Sequence, residues 1–407
     1  MQARRQKHEG ITRINSKVAR DINRSIILAT VRRGQPIPRS EIAEITRLNK
    51  STVSSIVARL IDEELLIESP DRIGAGTVGR KPVNLSLAQG KHFIGAISFD
   101  APCTRVAIVD INGTLRARDE IWTKVVSPES LVAQSVARLN ALRATIGPHK
   151  FHGIGASVGG IVDAEQSRVI YSANLGWSNV DLSALIREQA PDVETISVEN
   201  DAKASALAEL LWGAHRISPA NLVFLLVGVG IGAGITINGR VLSGDTHAAG
   251  EVGHMTVVEG GERCSCGNAG CWHLYASEQA LIRWFTELKS ATPGSIPAVA
   301  LSDVVDAARA GDEDALKALT TWAQHVGVGI GDLMCILDPS TVIVGGPITQ
   351  VWDLVGETVN ASAGGRRPLA SQHKTTVLPT SLPDNPPLLG AAALSIRSVF
   401  ADVTISM

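Results

Sequence analysis

The sequence predicts an α/β protein in which a small winged helix-turn-helix module precedes a body of two similar α/β lobes. Three observations predict this. The first 92 residues carry 17 lysines and arginines against 9 acidic residues, whereas the rest is net acidic, with 21 against 31. Three amphipathic helical patterns fill the basic part. Further along, a strand, a hairpin turn and a helix follow one another twice, which indicates two α/β lobes with a ligand cleft between them.

The composition is that of an ordinary globular protein, with 44% hydrophobic and 19% charged residues in 407. No apolar stretch follows the charged N-terminus as in a signal peptide, and the longest apolar runs, such as Leu222–Val229, are too short to span a bilayer. We therefore expect a cytoplasmic protein without membrane insertion. Cys103 and Cys335 lie in apolar surroundings and are predicted to be buried.

The basic module contains three predicted helices. They cover about Ala19–Val31, Arg39–Thr46 and Lys50–Glu64, and prolines connect the first two. In the second helix, Ile42 and Ile45 share one face. Four apolar residues of the third helix face inward, namely Val53, Ile56, Val57 and Leu60.

The start of the third helix has the features of a recognition helix. Asn49 suits the N-cap, and Leu48 and Val53 occupy the two positions of a hydrophobic staple. The exposed residues of its first turns are one cation and short hydroxyls, which can contact base edges in the major groove. These candidate DNA-binding residues are Lys50, Ser51, Thr52, Ser54 and Ser55.

Two short strands, Leu65–Glu68 and Val83–Leu87, flank a glycine-rich basic loop in which Arg80 is a further candidate DNA contact. Strand, basic loop and strand are typical of the wing that follows a helix-turn-helix. The alternative is a three-helix protein-interaction module. Arg47 counts against DNA binding, because it occupies the turn where glycine is commonest. The charge, the staple and the basic wing together favour double-stranded DNA.

The body is predicted to alternate strands and helices. The expected strands are Phe93–Ser98, Val106–Val109, Ile154–Val158, Ile196–Val198, Leu222–Val227, one through Ile237, and Thr341–Val344. The expected helices are Ser130–Ala144, Leu182–Gln189, one through Leu211, Ser277–Leu288, Leu301–Ala310, Glu313–Leu337 and Leu388–Val399. Asn112–Gly113 and Asn238–Gly239 are hairpin signals.

A candidate metal site lies between the second hairpin and the following helix. Its four potential ligands are His254, Cys264, Cys266 and Cys271. Three thiols and one imidazole complete a tetrahedral set for Zn²⁺ and leave no position open for water, so the ion would be structural. Gly267 and Gly270 allow the sharp turns between thiols. The alternative is reduced, buried cysteines beside an unrelated histidine.

Polar residues near this segment suit a sugar. Glu251 precedes His254 closely, and Asn200 and Asp201 lie upstream. Carboxylates accept hydrogen bonds from sugar hydroxyls, and an asparagine amide both donates and accepts them. A metal would then fix the loop that presents Glu251 and His254.

These motifs, in this order, resemble the ROK family of repressors and sugar kinases over nearly the whole chain. The similarity rests on the VENDA segment, VGVGIGAG, GEVGHM, CSCGNAGC and DPSTVIVGG, and the basic module resembles that of the repressor branch. The resemblance implies an actin-like, two-lobed sugar-kinase body. It implies a DNA-binding domain at 1–88, a first lobe at 89–199 completed by a helix at 385–407, and a second lobe with zinc at 200–384.

The resemblance also implies that the phosphate loops are degenerate. The kinases' D-x-G-G-T loop is matched here by Asp100 to Thr104, where Pro102 removes a backbone donor. In the second loop, Val229 replaces a threonine whose hydroxyl contacts phosphate. Two altered loops argue against kinase activity, so we expect no enzyme and no catalytic residues.

The sugar side matches the family better. Asp201 matches the kinases' general base, and the other matched sugar contacts are Gly160, Asn200, Glu251 and His254. By resemblance, His254 gives one ring nitrogen to zinc and its other edge to the sugar. His273 departs from the pattern, because the family usually has glutamate there, so the ligand or its orientation can differ.

The leading hypothesis is a repressor of carbohydrate metabolism that binds its operator as a homodimer or homotetramer. Sugar would close the cleft, move the winged modules and weaken DNA binding; a shift of about 3 kcal/mol suffices for roughly a hundredfold change. One alternative is a ROK-type sugar kinase with a fused regulatory domain. Another is a body that binds a transport-system protein instead of a sugar. The sequence leaves repression against activation open.

Overall fold

A computed structural model describes residues 16–70, 83–122, 127–147, 149–215, 221–289, 299–366 and 375–400. The chain divides into two compact units. The smaller comprises Met1–Phe93, Asp110–Asn112 and Ile396–Met407, and the larger comprises Ile94–Val109 and Gly113–Ser395. Within the part that is described, no helix is long and apolar enough to cross a membrane.

The smaller unit has three helices and a three-stranded antiparallel sheet among its described residues. The helices are α1 (Ser16–Gly34), α2 (Arg39–Thr46) and α3 (Lys50–Asp62); the strands are β1 (Ile37–Pro38), β2 (Leu66–Pro70) and β3 (Val83–Leu87). Strand β3 is central and pairs with both others. This arrangement confirms the predicted winged helix-turn-helix. The glycine-rich loop with Arg80 lies outside the described residues.

The core of this unit follows the helical period except on α2. The four apolar residues predicted to face inward from α3 are all buried. Ile42 is buried, but Ile45, three residues later, is 59% exposed, so the face predicted to hold both is only partly covered. Ala43 is buried instead. Ile45 follows Ala43 by two residues, about 200° around the helix axis, and therefore faces away from the core.

The start and end of α3 differ from the prediction in detail. Asn49 occupies the N-cap with an extended backbone, but its side chain makes no capping hydrogen bond. The helix ends at Asp62 rather than at Glu64, because Glu64 has a φ of +60°, which a helix cannot continue through. Arg47, in the turn before α3, has a φ of +57°, the conformation that glycine adopts more readily.

One five-stranded sheet carries the first half of the body. Its strands are β4 (His92–Phe99), β5 (Cys103–Asp110), β6 (Leu115–Trp122), β7 (Lys150–Val158) and β11 (Ile196–Asn200), in the order β11-β7-β4-β5-β6. A smaller sheet contains β8 (Ile161–Asp163), β9 (Arg168–Ser172) and β10 (Trp177–Asp181). The helices of this half are α4 (Pro128–Thr145) and α5 (Leu182–Gln189).

A second five-stranded sheet follows. It contains β12 (Asn221–Val227), β13 (Ile231–Ile237), β14 (Arg240–Val241), β15 (Thr341–Gly345) and β16 (Thr376–Pro379), in the order β14-β13-β12-β15-β16. The remaining helices are α6 (Asp201–Trp212), α7 (His273–Ala276), α8 (Glu278–Lys289), α9 (Leu301–Arg309), α10 (Glu313–Leu337), α11 (Trp352–Gly364) and α12 (Pro386–Phe400). Two sheets with helices confirm the α/β class.

The Asn238–Gly239 turn between β13 and β14 is a hairpin, as predicted, with φ values of +51° and +75°. Cys103 is buried as expected, but the expectation for Cys335 is wrong, because it is exposed. Cys335 lies near the end of α10 beside Ile336, which is 70% exposed, so this last turn faces away from the core.

Candidate functional site

Four metal-ligating side chains converge between β14 and α7. His254 ends a short 3₁₀ turn, Val252–His254, and the three cysteines follow. The ligand atoms of His254, Cys264, Cys266 and Cys271 all lie within 4.8 Å of one another. Sγ of Cys266 lies 3.7 Å from Sγ of Cys271. Such separations suit one small tetrahedral ion with metal–sulfur bonds of about 2.3 Å.

The backbone turns that bring these thiols together depend on glycine. Gly267 has a φ of +96°, and its N–H donates to the carbonyl of Cys264 over 3.0 Å. Gly270 has a φ of +73°, and a Cβ there would lie 1.8 Å from the carbonyl oxygen of Val258. Both positions therefore require glycine, as the sequence indicated.

The loop is attached to the long helix α10 through Trp272. This indole is completely buried, and its Nε1 donates to the carbonyl of His325 over 2.7 Å. A Cβ at Gly329 would lie 2.1 Å from Cε2 of Trp272, so the ring packs directly on the helix backbone. The residue between Cys271 and His273 therefore fixes the cluster to the protein core.

In this cluster, metal binding would require the buried thiol of Cys271 to lose its proton. Burial, together with hydrogen bonds to Cys266 and Cys264, raises the pKa of the Cys271 thiol to about 12. A cysteine ligates metal as the thiolate, so a positive charge is needed to hold this sulfur deprotonated. The donor set and the close sulfur atoms fit a metal ion that prefers thiolate and imidazole.

His273, a predicted sugar contact, lies against this cluster. Its Nε2 is 3.1 Å from Sγ of Cys264, and its ring meets that of His254 edge-on, with centroids 5.1 Å apart. Burial and the neighbouring His254 lower the pKa of His273. The Nε2 atom of His273 therefore lies within contact distance of the candidate metal cluster.

The predicted sugar residues assemble around the start of α6. Asn200 caps this helix, since its Oδ1 accepts from the N–H of Lys203 over 3.0 Å. Its Nδ2 donates to the carbonyl of Gly160 over 2.9 Å. One amide thereby joins the segment after β7 to the helix that begins with Asp201.

Asp201 lies among other carboxylates. A Cβ at Gly159 would be 3.2 Å from Oδ2 of Asp201, so nothing larger than glycine separates this backbone from the carboxylate. Burial, followed by the charges of Asp100 and Glu251, raises the pKa of Asp201 to about 7. Burial also raises the pKa of Glu251. The site therefore holds several carboxylates with few compensating cations, which suits a ligand that donates hydrogen bonds.

Two residues of this site were not among the predicted contacts. Asp100 follows β4, and its carboxylate accepts from the N–H of Ala101 over 2.8 Å and from the side chain of Asn174. Asn174 precedes β10 and lies about 4.0 Å from the Cβ position of Gly159. Asp100 could have been found as the first residue of the altered phosphate loop, whereas Asn174 carried no signal in the sequence beyond its loop.

The second glycine-rich loop joins β12 to β13. The N–H of Gly228 donates to the carbonyl of Gly230 over 2.9 Å, and Val229 between them is 37% exposed. Glu278, at the start of α8, donates its N–H to the carbonyl of Gly228 over 2.8 Å. Burial raises the pKa of the Glu278 carboxyl. The first residue of α8 therefore contacts this loop through its backbone.

The candidate DNA-binding residues lie on the first two turns of α3. Lys50, Ser51 and Ser55 are exposed, while Thr52 and Ser54 are half-buried. All five lie outside the buried stripe of this helix. The sixth candidate, Arg80, falls outside the described residues.

Comparison with known proteins shows similarity to one family in both sequence and structure. The sequence profile of the ROK family matches residues 95–398. The xylose repressor of Bacillus spizizenii is 29% identical over 384 residues, which cover 94% of this chain and 96% of that protein. A crystal structure of a ROK family transcriptional regulator, a homologue of the E. coli Mlc protein, superposes with a TM-score of 0.77 at 23% identity over 94% of this chain and 97% of the other.

A ROK family glucokinase from Streptomyces griseus, solved with glucose and AMPPNP, has a TM-score of 0.65 at 27% identity and covers 74% of this chain and 98% of its own. The kinase therefore matches a smaller share of this chain than the regulators do. The profile match spans well over half of the sequence, and the chain belongs to the ROK family.

Proposed function

We propose that this protein is a sugar-responsive, DNA-binding transcriptional regulator, a repressor that a sugar or sugar derivative releases from its operator. The observation that carries the proposal is the assembly of Gly160, Asn200, Asp201 and Glu251 at one site, in a chain that also holds a winged helix-turn-helix. Relatives named xylose repressors align over nearly their whole length and support it.

In this proposal α3 enters the major groove of double-stranded operator DNA. Lys50 contacts a phosphate, while Ser51 and Ser55 lie where hydroxyls reach base edges. Arg80 of the basic loop contributes a second cationic contact. Such proteins bind palindromic sites as pairs, so we expect a homodimer or homotetramer.

In the sugar site, the carboxylates of Asp201 and Glu251 accept hydroxyl protons and Asn200 presents its amide. His254 reaches the sugar with the ring edge opposite the cluster, and His273 lines the same wall. Zn²⁺ held by His254, Cys264, Cys266 and Cys271 is structural, since four protein ligands leave no open position. It fixes the loop that carries Glu251.

A sugar kinase is the second candidate, because kinases of this family share the body and Asp201 has a pKa of about 7, suited to a general base. Two features oppose it. Pro102 has no backbone N–H to offer a phosphate, and Val229 offers no hydroxyl. Phosphoryl transfer depends on such contacts, so we propose that Asp201 binds sugar without catalysis.

The proposed domains are 1–88 for DNA, 89–199 with 385–407 for the first lobe, and 200–384 for the second lobe with the metal. A cytoplasmic regulator of carbohydrate metabolism is the corresponding cellular role. The third candidate is a body that binds a transport-system protein instead of a sugar. A pull-down from lysate with and without sugar distinguishes it from the sugar-responsive regulator.

The deciding experiment pairs operator binding with sugar binding. Genomic fragments are selected with the purified protein, and the complex is then titrated with monosaccharides and with their amino, N-acetyl and phosphorylated forms. We expect one class to weaken the gel shift and raise the melting temperature. If no sugar changed the gel shift of the operator complex or the melting temperature, the result would contradict the effector role. Release of ADP from ATP with any of these sugars would instead support the kinase.

A further inference from the structure

His247 has an unusual backbone in the segment that leads from β14 to Glu251. Its φ is +61°, a left-handed conformation that non-glycine residues seldom adopt. Gly244 and Gly250, which have φ values of +74° and +99°, take the other left-handed positions of this segment. A histidine kept where glycine would fit more easily indicates that its side chain has a role.

His247 has two contacts, one through its backbone and one through its side chain. Its carbonyl accepts from Nζ of Lys203 over 2.8 Å, and Lys203 is a buried residue on α6. Its Nε2 lies 3.6 Å from Oδ2 of Asp163 on β8, an ion pair whenever the imidazole is protonated. Both side chains are largely covered, with 26% of His247 and 12% of Asp163 exposed, so solvent screens the contact only in part.

The two partners lie close in sequence to residues of the proposed sugar site. His247 precedes Glu251 by four residues, and Asp163 follows Gly160 by three. Strand β8 belongs to the small sheet, whereas the His247 segment follows β14, an edge strand of the second five-stranded sheet. The contact therefore ties the segment that carries Glu251 to the segment that carries Gly160.

We propose that His247 and Asp163 are positioning residues of the sugar site, whose contact sets the separation of Glu251 and Gly160. Neither residue is assigned a contact with the sugar. Lys203 binds the backbone of His247 to α6, the helix that begins with Asp201. We call the contact between His247 and Asp163 the tether. Together, these two contacts link the segments that carry Gly160, Asp201 and Glu251. This inference rests on the proposed function for the identity of the ligand, but the tether itself is independent of it.

Two variants separate the tether from a purely structural role. H247G removes the imidazole and also relieves the left-handed backbone. A purely structural role predicts a lower melting temperature with sugar affinity unchanged, whereas a positioning role predicts lower sugar affinity. D163N keeps the size of the side chain and the oxygen that accepts from the N–H of Gln166, and it replaces the charged oxygen that faces His247 with an amide nitrogen. D338G is the matched control, because Asp338 is an exposed residue with a φ of +42° at the end of α10.

Sugar affinity is measured by calorimetry with D-xylose and D-glucose as probes. We expect H247G and D163N each to weaken binding by about three- to tenfold, the range of a partly covered ion pair, without a lower melting temperature. The double variant should bind sugar no more weakly than the single variant with the lower affinity, because both substitutions remove the same contact. D338G should bind as the wild type does. Unchanged affinity in both single variants, or additive losses in the double variant, would overturn the proposal.

Hydrogen exchange tests the tether without any sugar. Amides of residues 243–250 should exchange faster in D163N, whose own mutation lies outside this segment, while exchange in α10 stays as in the wild type. Unchanged exchange would overturn the tether. A wild-type protein that bound no sugar would contradict the proposed function. Hydrogen exchange would still show whether the contact between His247 and Asp163 restrains residues 243–250.

Discussion

The side chain of Asn200 holds the backbone of Gly160: its Nδ2 donates to that carbonyl over 2.9 Å, while its Oδ1 accepts from the N–H of Lys203 and caps α6. One residue thus serves both a helix terminus and the backbone of the proposed sugar site. The two roles can be separated, because they use different atoms of the amide.

We expect N200D to lose sugar affinity while it keeps the helix cap. Aspartate caps a helix as well as asparagine does, so the bond to Lys203 N–H remains. The Nδ2 donor is lost, and a carboxylate oxygen then faces the carbonyl of Gly160. N200A, which loses the cap as well, should be less stable than N200D by about 1 kcal/mol. Urea unfolding and sugar calorimetry on both variants check this. Equal sugar affinity in N200D and the wild type would contradict the role of the Nδ2 bond.

Asp201 should make stability depend on pH. Its pKa is raised to about 7 in the folded protein, so the folded state binds more protons than the unfolded state between about pH 4 and pH 7. The free energy of unfolding therefore decreases through this residue as pH rises over that window. D201N lacks the effect, so it should gain stability relative to the wild type at pH 8, and not at pH 4, by a few kcal/mol at most. Unfolding of both proteins at several pH values measures the difference, with D338N as an exposed control.

Cys266 offers the cleanest test of the metal. It is exposed, so C266S changes little packing, whereas the buried Cys264 and Cys271 would also lose core contacts. We expect C266S to release zinc to a chelator far faster than the wild type and to melt at a lower temperature. C335S, another exposed cysteine outside the cluster, should behave as the wild type does. Metal content by mass spectrometry and the absorption of a cobalt-substituted protein provide the readout. Equal zinc retention in C266S and C335S would refute the four-ligand site.

K50A should weaken operator binding and reduce its dependence on salt. One fewer phosphate contact lowers the slope of log affinity against log salt by about 1 per subunit. K317A on α10 removes an exposed lysine of the other unit, and we expect no change in affinity or slope. Titrations at several salt concentrations with operator and with unrelated DNA compare the variants. A slope equal to that of the wild type in K50A would show that this lysine does not contact a phosphate.

Features that depend on residues close together in the chain were predictable from the sequence. α2 and α10 begin and end where the apolar period and the flanking residues indicated, and the ligands of the metal cluster were evident from their spacing alone. Strand β1 was missed because it has two residues, one of them proline, and gains its pairing from β3, about 45 residues later. The contact between His247 and Asp163 was also invisible, because it joins segments that are distant in the chain. Helix periodicity likewise could not show that Ile45 faces solvent, since eight residues fix a face only loosely.

The metal cluster is not an autonomous module. Trp272, which follows Cys271, is completely buried, and the neighbouring Gly329 of α10 leaves no room for a side chain. Grafting residues 250–273 alone onto a foreign scaffold would expose this indole and lose the hydrogen bond to His325. A transplanted loop of this kind would need the middle of α10 with it, because that helix buries Trp272 and accepts its hydrogen bond.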